Sequence, residues 1–504
     1  IDIRQDARVV TASFKTMLEA RDGFEAVARF EAMDESEAMD FLFAYNDVFE
    51  GNLAEDRHQD VLESLRAMQD IQLHNGEEGC HRYILSNCSR ALDIATLYAM
   101  AKASGWEGTL TMDLVPLFES IQDLDGAREE MSKLYAHPVY AEHLDNRGGD
   151  QTVMLGFSDG TKDGGYLRAN WAIYRAKQRL TDVSREYERT VMFFDGRGGP
   201  PARGGGNTHR FYASLGRDIE NREIQTTIQG QTISSNFGIP KSAGFNLELL
   251  FTAGVKNRLF DEEETRILPE DEALLDELGS TSHAHYLGLR NRPEFTDYLA
   301  TFGTLRYYGE TNIGSRPTSR DKNNDLNFND VRAIPFVGSW SQLKQNVPGY
   351  FGLGTALEAL DRDGRLDEAA SLYRRNAFFR TLVENSMQSM MKCDFRLTAH
   401  LASHPRFGAL WNSVHEEYER TRILVLAITG QHELMETAPS IRESIRLRDS
   451  IIMPLLVIQQ FALTEMERQQ SSDAEADSDW TPELLRKLII RTMYGIVNAS
   501  RNAV

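Results

Sequence analysis

The chain has 504 residues, of which 41% are hydrophobic and 26% are charged, a composition typical of a folded globular protein rather than a disordered one. Its formal net charge of −21 argues against a general nucleic-acid-binding role, because neutralising phosphates requires a basic surface. The three cysteines form no C-x-x-C pair, which argues against a zinc knuckle or a disulfide framework and favours a reducing, cytoplasmic location.

The chain opens directly in an extended run, IDIR, with no methionine and no signal-peptide pattern, so we expect a chain cut inside a structural element. Short β-rich runs then recur, and long amphipathic stretches separate them, which is the alternation of β/α units. The predicted strands lie at residues 1–4, 83–86, 114–118, 153–157, 191–194, 225–229 and 333–337. They predict an α/β fold, an incomplete TIM-type (β/α)8 barrel that lacks its N-terminal strand, because eight strands close such a barrel.

Acidic side chains follow the third and fourth predicted strands. Glu119 stands after the third and Asp159 after the fourth, a placement that aims two carboxylates at one divalent cation of the oxygen-preferring kind. Acids in this place also cap the helix that follows, so a capping role stays open for both residues. Lys162 is likewise either a phosphate-facing charge or an exposed lysine at a helix start.

A glycine-rich segment, DGRGGPPARGGG, follows the fifth predicted strand at residues 195–206. It sets Arg197 and Arg203 among glycines, so that backbone amides and guanidinium groups can approach an oxyanion closely. The segment suits a phosphate or a carboxylate, yet it matches neither a Walker loop nor a dinucleotide fingerprint. A tight connection between two elements is the alternative.

The C-terminal part of the chain has a different pattern. After Pro348, apolar residues recur at helical spacing over residues 378–401 and again over 410–428. We therefore predict two domains, a barrel portion with catalytic loops at residues 1–347 and an all-helical region at 348–504.

Two polar stretches are predicted as loops, at residues 315–329 and 469–479. The most apolar run, at residues 451–458, is broken by Gln459 and Gln460 and is too short for a bilayer, which takes ~20 apolar residues. No membrane segment is predicted.

The run VMLGFSDGTKDGG at residues 153–165 resembles the lysine-bearing signature of the phosphoenolpyruvate carboxylases, with Gly160 where that family usually has serine. The resemblance keeps the family's order over nearly the whole chain, and its other parts lie at residues 1–5, 117–119, 196–199, 312–317 and 331–335. The closing SRNAV is similar to the family's C-terminal Arg-Asn-Thr-Gly, so we expect the native C-terminus to be present.

The resemblance implies roles for the matching charged residues. Ligands for Mg²⁺ or Mn²⁺ are implied at Glu119 and Asp159. The arginines implied around the phosphate of phosphoenolpyruvate are Arg4, Arg197 and Arg332.

The implied reaction is the metal-dependent carboxylation of phosphoenolpyruvate. Bicarbonate attacks the substrate phosphate to give carboxyphosphate and an enolate, and the enolate then attacks released carbon dioxide to give oxaloacetate and phosphate. Each step concentrates negative charge, which preorganised cations stabilise. Lys162 and Arg316 are implied to act with Arg197 near the intermediate, so these three are the candidate catalytic residues.

The resemblance also implies a regulatory site and an assembly. Four residues are similar to the family's pocket for a feedback dicarboxylate, aspartate or malate, and these are Arg203, Lys392, Arg448 and Asn502. Without the resemblance, Lys392 and Arg448 read equally well as charges on a helix surface. The family further implies a homotetramer.

The chain departs from the family pattern in three places. The segment Thr-Ala-His-Pro-Thr, whose histidine acts in proton transfer, is absent from the 504 residues, so we expect the isolated chain to be inactive without it. Asp195 replaces a second family histidine, which puts in doubt how bicarbonate or the intermediate is held. Gln231 stands where the family tends to have glutamate.

Two interpretations therefore stay open. The first is a truncated but otherwise normal carboxylase. The alternative is a noncatalytic regulatory or scaffold subunit that binds dicarboxylates, and Asp195 is the main argument for it.

Overall fold

The computed structural model describes residues 2–228, 231–260, 262–311, 328, 331–470 and 480–500. Its strands are β1 Asp2–Asp6, β2 Arg82–Ser86, β3 Asp113–Phe118, β4 Asp150–Leu155, β5 Thr190–Asp195 and β6 Ile224–Thr226. They form one sheet in which the spatial order equals the chain order and every neighbouring pair is parallel. An α/β fold with a parallel sheet is thereby confirmed, and all the strands end at the same edge of the sheet.

Helices connect and follow these strands. In the first half of the chain they are α1 Ala7–Asp22, α2 Phe24–Glu31, α3 Glu35–Ala44, α4 Asp56–Asn75, α5 Ala91–Ala103, α6 Ile121–Ala136, α7 Pro138–Asn146, α8 Phe157–Gly164, α9 Tyr166–Glu186, α10 Thr208–Ala213 and α11 Gln231–Phe237. In the second half they are α12 Pro240–Leu259, α13 Pro269–Arg290, α14 Phe295–Thr301, α15 Ala333–Gln342, α16 Leu353–Arg362, α17 Leu366–Arg375, α18 Ala377–Met390, α19 Gly408–Thr429, α20 Pro439–Gln470 and α21 Pro482–Ser500.

Short 3-10 helices lie at Glu77–Gly79, Pro201–Arg203, Glu263–Thr265, Leu305–Glu310, Val347–Gly349 and Phe395–Ser403. None of the described helices combines the length and the apolar character that crossing a membrane requires. The polar stretches predicted as loops at 315–329 and 469–479 lie outside the described residues, apart from Phe328 and the end of α20.

One predicted strand is wrong. Residues 333–337 open helix α15, because a short apolar run fits a buried helix as well as a strand. Pro335 lies in the first turn, where its missing N–H breaks no helical hydrogen bond. Most side chains of α15 are buried, from Ala333 to Trp340, so the sequence shows no amphipathic stripe that would have indicated a helix.

The chain divides into two compact units. The first comprises Ile1–Gly156, Ala172–Gly196 and Asp218–Thr226, and it contains the whole sheet. The second comprises Phe157–Trp171, Arg197–Arg217 and Thr227–Val504. Within the second unit, an aromatic-rich core includes Tyr298 and Trp340. The domain boundary at residue 347 stays a prediction.

The two faces of the sheet carry different side chains. Ile84, Val115, Leu117 and Met154 pack together with Phe194 on one face, which we call the inner face. Side chains alternate along a strand, so the neighbours of Phe194 in β5, Phe193 and Asp195, lie on the opposite, outer face.

Candidate active site

In the first unit, Arg4 and Glu119 meet at the carboxyl edge of the sheet. The Arg4 Nη2 donates a hydrogen bond to Glu119 Oε1 at 2.7 Å. Both side chains belong to the inner face, since Arg4 is in register with Ile84 and Glu119 comes two residues after Leu117. Glu119 is 5% exposed, whereas 26% of the Arg4 side chain remains exposed.

Local contacts explain why Glu119 is held there and not at a helix cap. Ser120 is the N-cap of α6, and its side chain accepts a hydrogen bond from the Asp123 backbone, so the capping role open to Glu119 belongs to its neighbour. A Cβ at Gly156 would lie 3.0 Å from the Glu119 Cα, so any other residue there would have to displace the Glu119 backbone.

In the second unit, α8 carries both Asp159 and Lys162. Asp159 lies in the first turn of this short helix, where the helix dipole favours a negative charge. Lys162 lies in its last turn, not at its start, and its Nζ is 4.6 Å from the centre of the Phe328 ring. The structure thus places a carboxylate near the start and an ammonium group near the end of one short helix.

Helix α13 holds the C-terminal end of α8. The Tyr286 hydroxyl donates to the Lys162 carbonyl at 2.8 Å, and Arg290 Nη1 donates to the Asp163 carbonyl at 2.6 Å and to its carboxylate at 2.8 Å. These are carbonyls that a helix end leaves without internal partners. Gly165 has φ +77° and its Cβ position is 3.3 Å from the Tyr286 ring, so both conformation and space require glycine.

The glycine-rich segment surrounds Arg197 with aromatic rings. The guanidinium lies 4.2 Å from the Phe211 ring centre, 5.5 Å from that of Phe157 and 5.8 Å from that of Tyr212. Arg197 is only 4% exposed and donates to the carbonyl of Gly205 at 3.1 Å. Its Nη1 is buried and has no hydrogen-bond partner among the described residues. A buried cation with an unused donor suits an anion, which disfavours the alternative of a mere tight connection.

Arg203 lies in the same segment and is also buried. Its Nε donates to the Ser158 hydroxyl at 3.2 Å. Burial lowers the pKa of Arg203 to about 10. The segment folds tightly on itself, because a Cβ at Gly205 would overlap the Gly198 carbonyl oxygen, and Gly198 N donates to the Arg203 carbonyl at 3.2 Å.

The family model for phosphoenolpyruvate carboxylase matches residues 1–503. The chain belongs to the phosphoenolpyruvate carboxylase family. A relative from Corynebacterium diphtheriae, named phosphoenolpyruvate carboxylase, is 34% identical over 88% of this chain and 48% of its own length. One of the same name from Nocardia farcinica is 35% identical over 87% of this chain and 48% of its own, and one from Rhodothermus marinus is 33% identical over 78% and 42%. The chain therefore spans about half the length of the curated relatives it matches.

The residues that resemble the family's dicarboxylate pocket are partly brought together in the second unit. Burial, together with the nearby cations Lys344 and Arg448, lowers the pKa of Lys392 to about 8, while Asp449 opposes the shift. Lys344 Nζ lies 2.7 Å from Asp449 Oδ1. A cavity of about 590 Å³ has Cys393 and Asp449 in its wall. Lys392 follows the end of α18 at Met390 and is half-buried.

Four other positions taken from the family pattern are described only in part or not at all. Arg332 is the N-cap residue of α15. Arg316 and Asn502 lie outside the described residues, and the side chain of Gln231 is not described either. Within the described ranges, no three His, Cys, Asp or Glu side chains form a ready-made metal cage.

Sequence reasoning missed the residues that hold the site residues in place. Lys177 pairs with Asp195, and Tyr286 and Arg290 bind the end of α8. For Lys177 the sequence held no signal, because its burial beside Ala176 and Leu180 is visible only in the fold. For Tyr286 and Arg290 there was none, since they lie more than a hundred residues from their partners.

Proposed function

We propose that the protein catalyses the carboxylation of phosphoenolpyruvate with bicarbonate to oxaloacetate and phosphate, as a carbon–carbon lyase that replenishes oxaloacetate. The observation that carries the proposal is the buried Arg197 guanidinium, whose Nη1 has no partner among the described residues. A phosphate or carboxyphosphate oxygen would complete its hydrogen bonds, and the surrounding rings exclude water that would weaken the interaction.

We propose Glu119 and Asp159 as the protein ligands of Mg²⁺ or Mn²⁺. Two carboxylates fit such an ion, because Mg²⁺ keeps several waters and completes its shell with substrate oxygens rather than a full protein cage. The Glu119 carboxylate also suits a positively charged ligand, since it already faces a cation, Arg4, at 2.7 Å. When bound, the ion would stabilise negative charge that develops on oxygen.

The remaining charged residues would handle the substrate. Arg4 and Arg332 would bind the substrate phosphate with Arg197, and their fixed charges would stabilise the phosphoryl transfer. Lys162 and Arg316 would hold the carboxyphosphate intermediate. Lys162 is suited to this because its ammonium lies on an aromatic ring at the end of a helix that α13 fixes.

Other features of the family extend the proposal. The sheet would be the incomplete TIM-type barrel predicted from the strand pattern, with a helical domain from residue 348. A dicarboxylate such as aspartate or malate would bind Arg203, Lys392, Arg448 and Asn502. The protein would act in the cytoplasm as a homotetramer, and the free thiols of all three cysteines suit a reducing compartment.

The test is an assay of oxaloacetate formation from phosphoenolpyruvate and bicarbonate with Mg²⁺, on this chain and on the chain extended through any upstream reading frame. Arg197→Met should lower kcat/KM about 10²–10³-fold in the active form, since one preorganised donor contributes that much. Arg362→Met is the matched control, because that arginine is 70% exposed and pairs with its helix neighbour Glu358. If neither form makes oxaloacetate although Mn²⁺ and malate bind, the noncatalytic subunit replaces this proposal.

A further inference from the structure

The carboxylate that stands in place of the family histidine is sealed in an ion pair. Both oxygens of Asp195 lie 2.9 Å from Lys177 Nζ. Lys177 is 2% exposed and Asp195 is 1% exposed. The same ammonium lies 4.3 Å from the Phe193 ring centre, so the lysine is fixed by a carboxylate and a ring from one strand.

The pair lies on the outer face of the sheet, away from Arg4 and Glu119. Met154 is in register with Phe194 and both belong to the inner face, whereas Leu155 is in register with Asp195 on the outer face. Lys177 comes from α9, the helix that precedes β5 in the chain. Asp195 therefore faces a helix and not the inner face, on which Glu119 lies.

The backbone directly after the pair is also fixed. The Gly196 N–H donates to the Leu155 carbonyl at 2.9 Å, which extends the ladder between β4 and β5 by one residue. A Cβ at Gly196 would lie 3.1 Å from that carbonyl oxygen, so only glycine fits comfortably. Arg197 follows as the next residue in the chain.

We propose that Lys177 and Asp195 are a buried positioning pair that anchors the end of β5 to α9 and thereby orients the segment carrying Arg197. The inference rests on the proposed function for what Arg197 binds. Asp195 takes no chemical part in the reaction, and its exchange for the family's histidine is compatible with activity because Lys177 supplies the matching charge. A charged group this deeply buried needs such a partner, since alone it would be strongly destabilising.

A double-mutant cycle tests the pair in the longest chain that shows activity. Lys177→Gln and Asp195→Asn each leave one buried charge, so each should lower Tm by about 5 °C or more and raise the KM for phosphoenolpyruvate about tenfold. The double variant K177Q/D195N keeps a hydrogen bond without either charge, so it should regain most of the Tm and bring KM within about threefold of the parent. The kcat should stay within about fivefold throughout.

A histidine variant at residue 195 tests whether the Lys177 charge matches the Asp195 carboxylate. Asp195→His places an imidazole against the Lys177 ammonium, so it should lower Tm more than Asp195→Asn does. Adding Lys177→Gln should recover most of that loss. The control is the exposed pair of Arg222 and Asp150 in the same unit, where R222Q/D150N should change Tm by less than about 2 °C.

Three results would overturn the inference. A stable K177Q/D195N variant that loses kcat a hundredfold or more would show that the carboxylate takes part in the reaction. Single variants with unchanged Tm and KM would show that the pair anchors nothing, and a lowered Tm with unchanged KM would reduce it to a stabilising contact. Failure of the proposed function is distinct, because the parent itself would then make no oxaloacetate.

Discussion

Two ion pairs at the carboxyl edge of one sheet differ mainly in their access to solvent. Arg4 and Glu119 lie on the inner face, with a quarter of the Arg4 side chain exposed. Lys177 and Asp195 lie on the outer face and are sealed. Of these two pairs, the one with an exposed arginine can be reached by a ligand, whereas the sealed pair is suited to fixing the backbone.

The energetics explain why the two pairs respond differently to change. Each charge of an accessible pair can leave its partner and bind a metal ion or a phosphate instead. The cost in free energy is small, because water and ligand replace the lost partner. Breaking a buried pair by removing one partner costs about 3–5 kcal/mol, since the remaining charge has nothing to replace it. Substitutions at the inner-face pair should therefore mainly lower activity, and substitutions at the outer-face pair should mainly lower stability.

The largest effect is expected at the inner face. Glu119→Gln removes a charge that the proposed metal ion requires, so metal-dependent oxaloacetate formation should fall by about 10³-fold or more. The Tm should change by only a few degrees, because Arg4 keeps access to water. Steady-state kinetics and calorimetry on the same preparation check both statements. Retained activity, or unfolding without Glu119, would contradict the distinction between the two pairs.

A medium effect is expected at the support of α8. Arg290→Met removes two hydrogen bonds to Asp163, so Lys162 should sample more orientations and kcat should fall by about tenfold. Arg292→Met is the matched control, because Arg292 instead reaches the Ala409 carbonyl at 3.3 Å. Equal kinetics for the two variants would mean that the hold of α13 on α8 has no role in positioning Lys162.

The smallest effect is expected at Lys392, whose pKa of about 8 lies within an accessible pH range. A dicarboxylate favours the charged lysine, so above pH 8 binding must take up a proton and affinity should fall, by at most tenfold per pH unit. Below pH 7 the lysine is already charged and affinity should be flat. Calorimetric titration with malate at pH 7 and pH 9 measures this fall in affinity. Lys392→Met should abolish the pH dependence of the affinity. A malate affinity that rises with pH would contradict the assignment of Lys392.

The sequence was sufficient for those features that depend on local pattern. Buried parallel strands such as β2 and β3 contain consecutive apolar residues, so they could be found without any partner. The same property led to the wrong strand prediction at residues 333–337. Helix α15 is buried on most sides, so its apolar run resembles that of a buried strand. Glu119 and Arg197 could be proposed as site residues because the resemblance to the family covers the strand ends near which they lie.

The supporting contacts could not be predicted, because they join residues whose proximity only the fold creates. Lys177 is 18 residues from Asp195, and a lysine within an amphipathic helix usually indicates a solvent-facing position. Arg290 is 127 residues from Asp163. The substitution of aspartate for histidine at residue 195 suggested a lost function, whereas the structure shows a carboxylate with its own counter-charge.

The most direct test compares Mn²⁺ binding by the two carboxylates. The electron paramagnetic resonance signal of free Mn²⁺ is titrated with the parent protein, with Glu119→Gln and with K177Q/D195N, each shown to be folded. The distinction between the two faces predicts that Glu119→Gln weakens Mn²⁺ binding by about tenfold or more, while K177Q/D195N binds like the parent. Normal binding by Glu119→Gln together with lost binding by K177Q/D195N would contradict it.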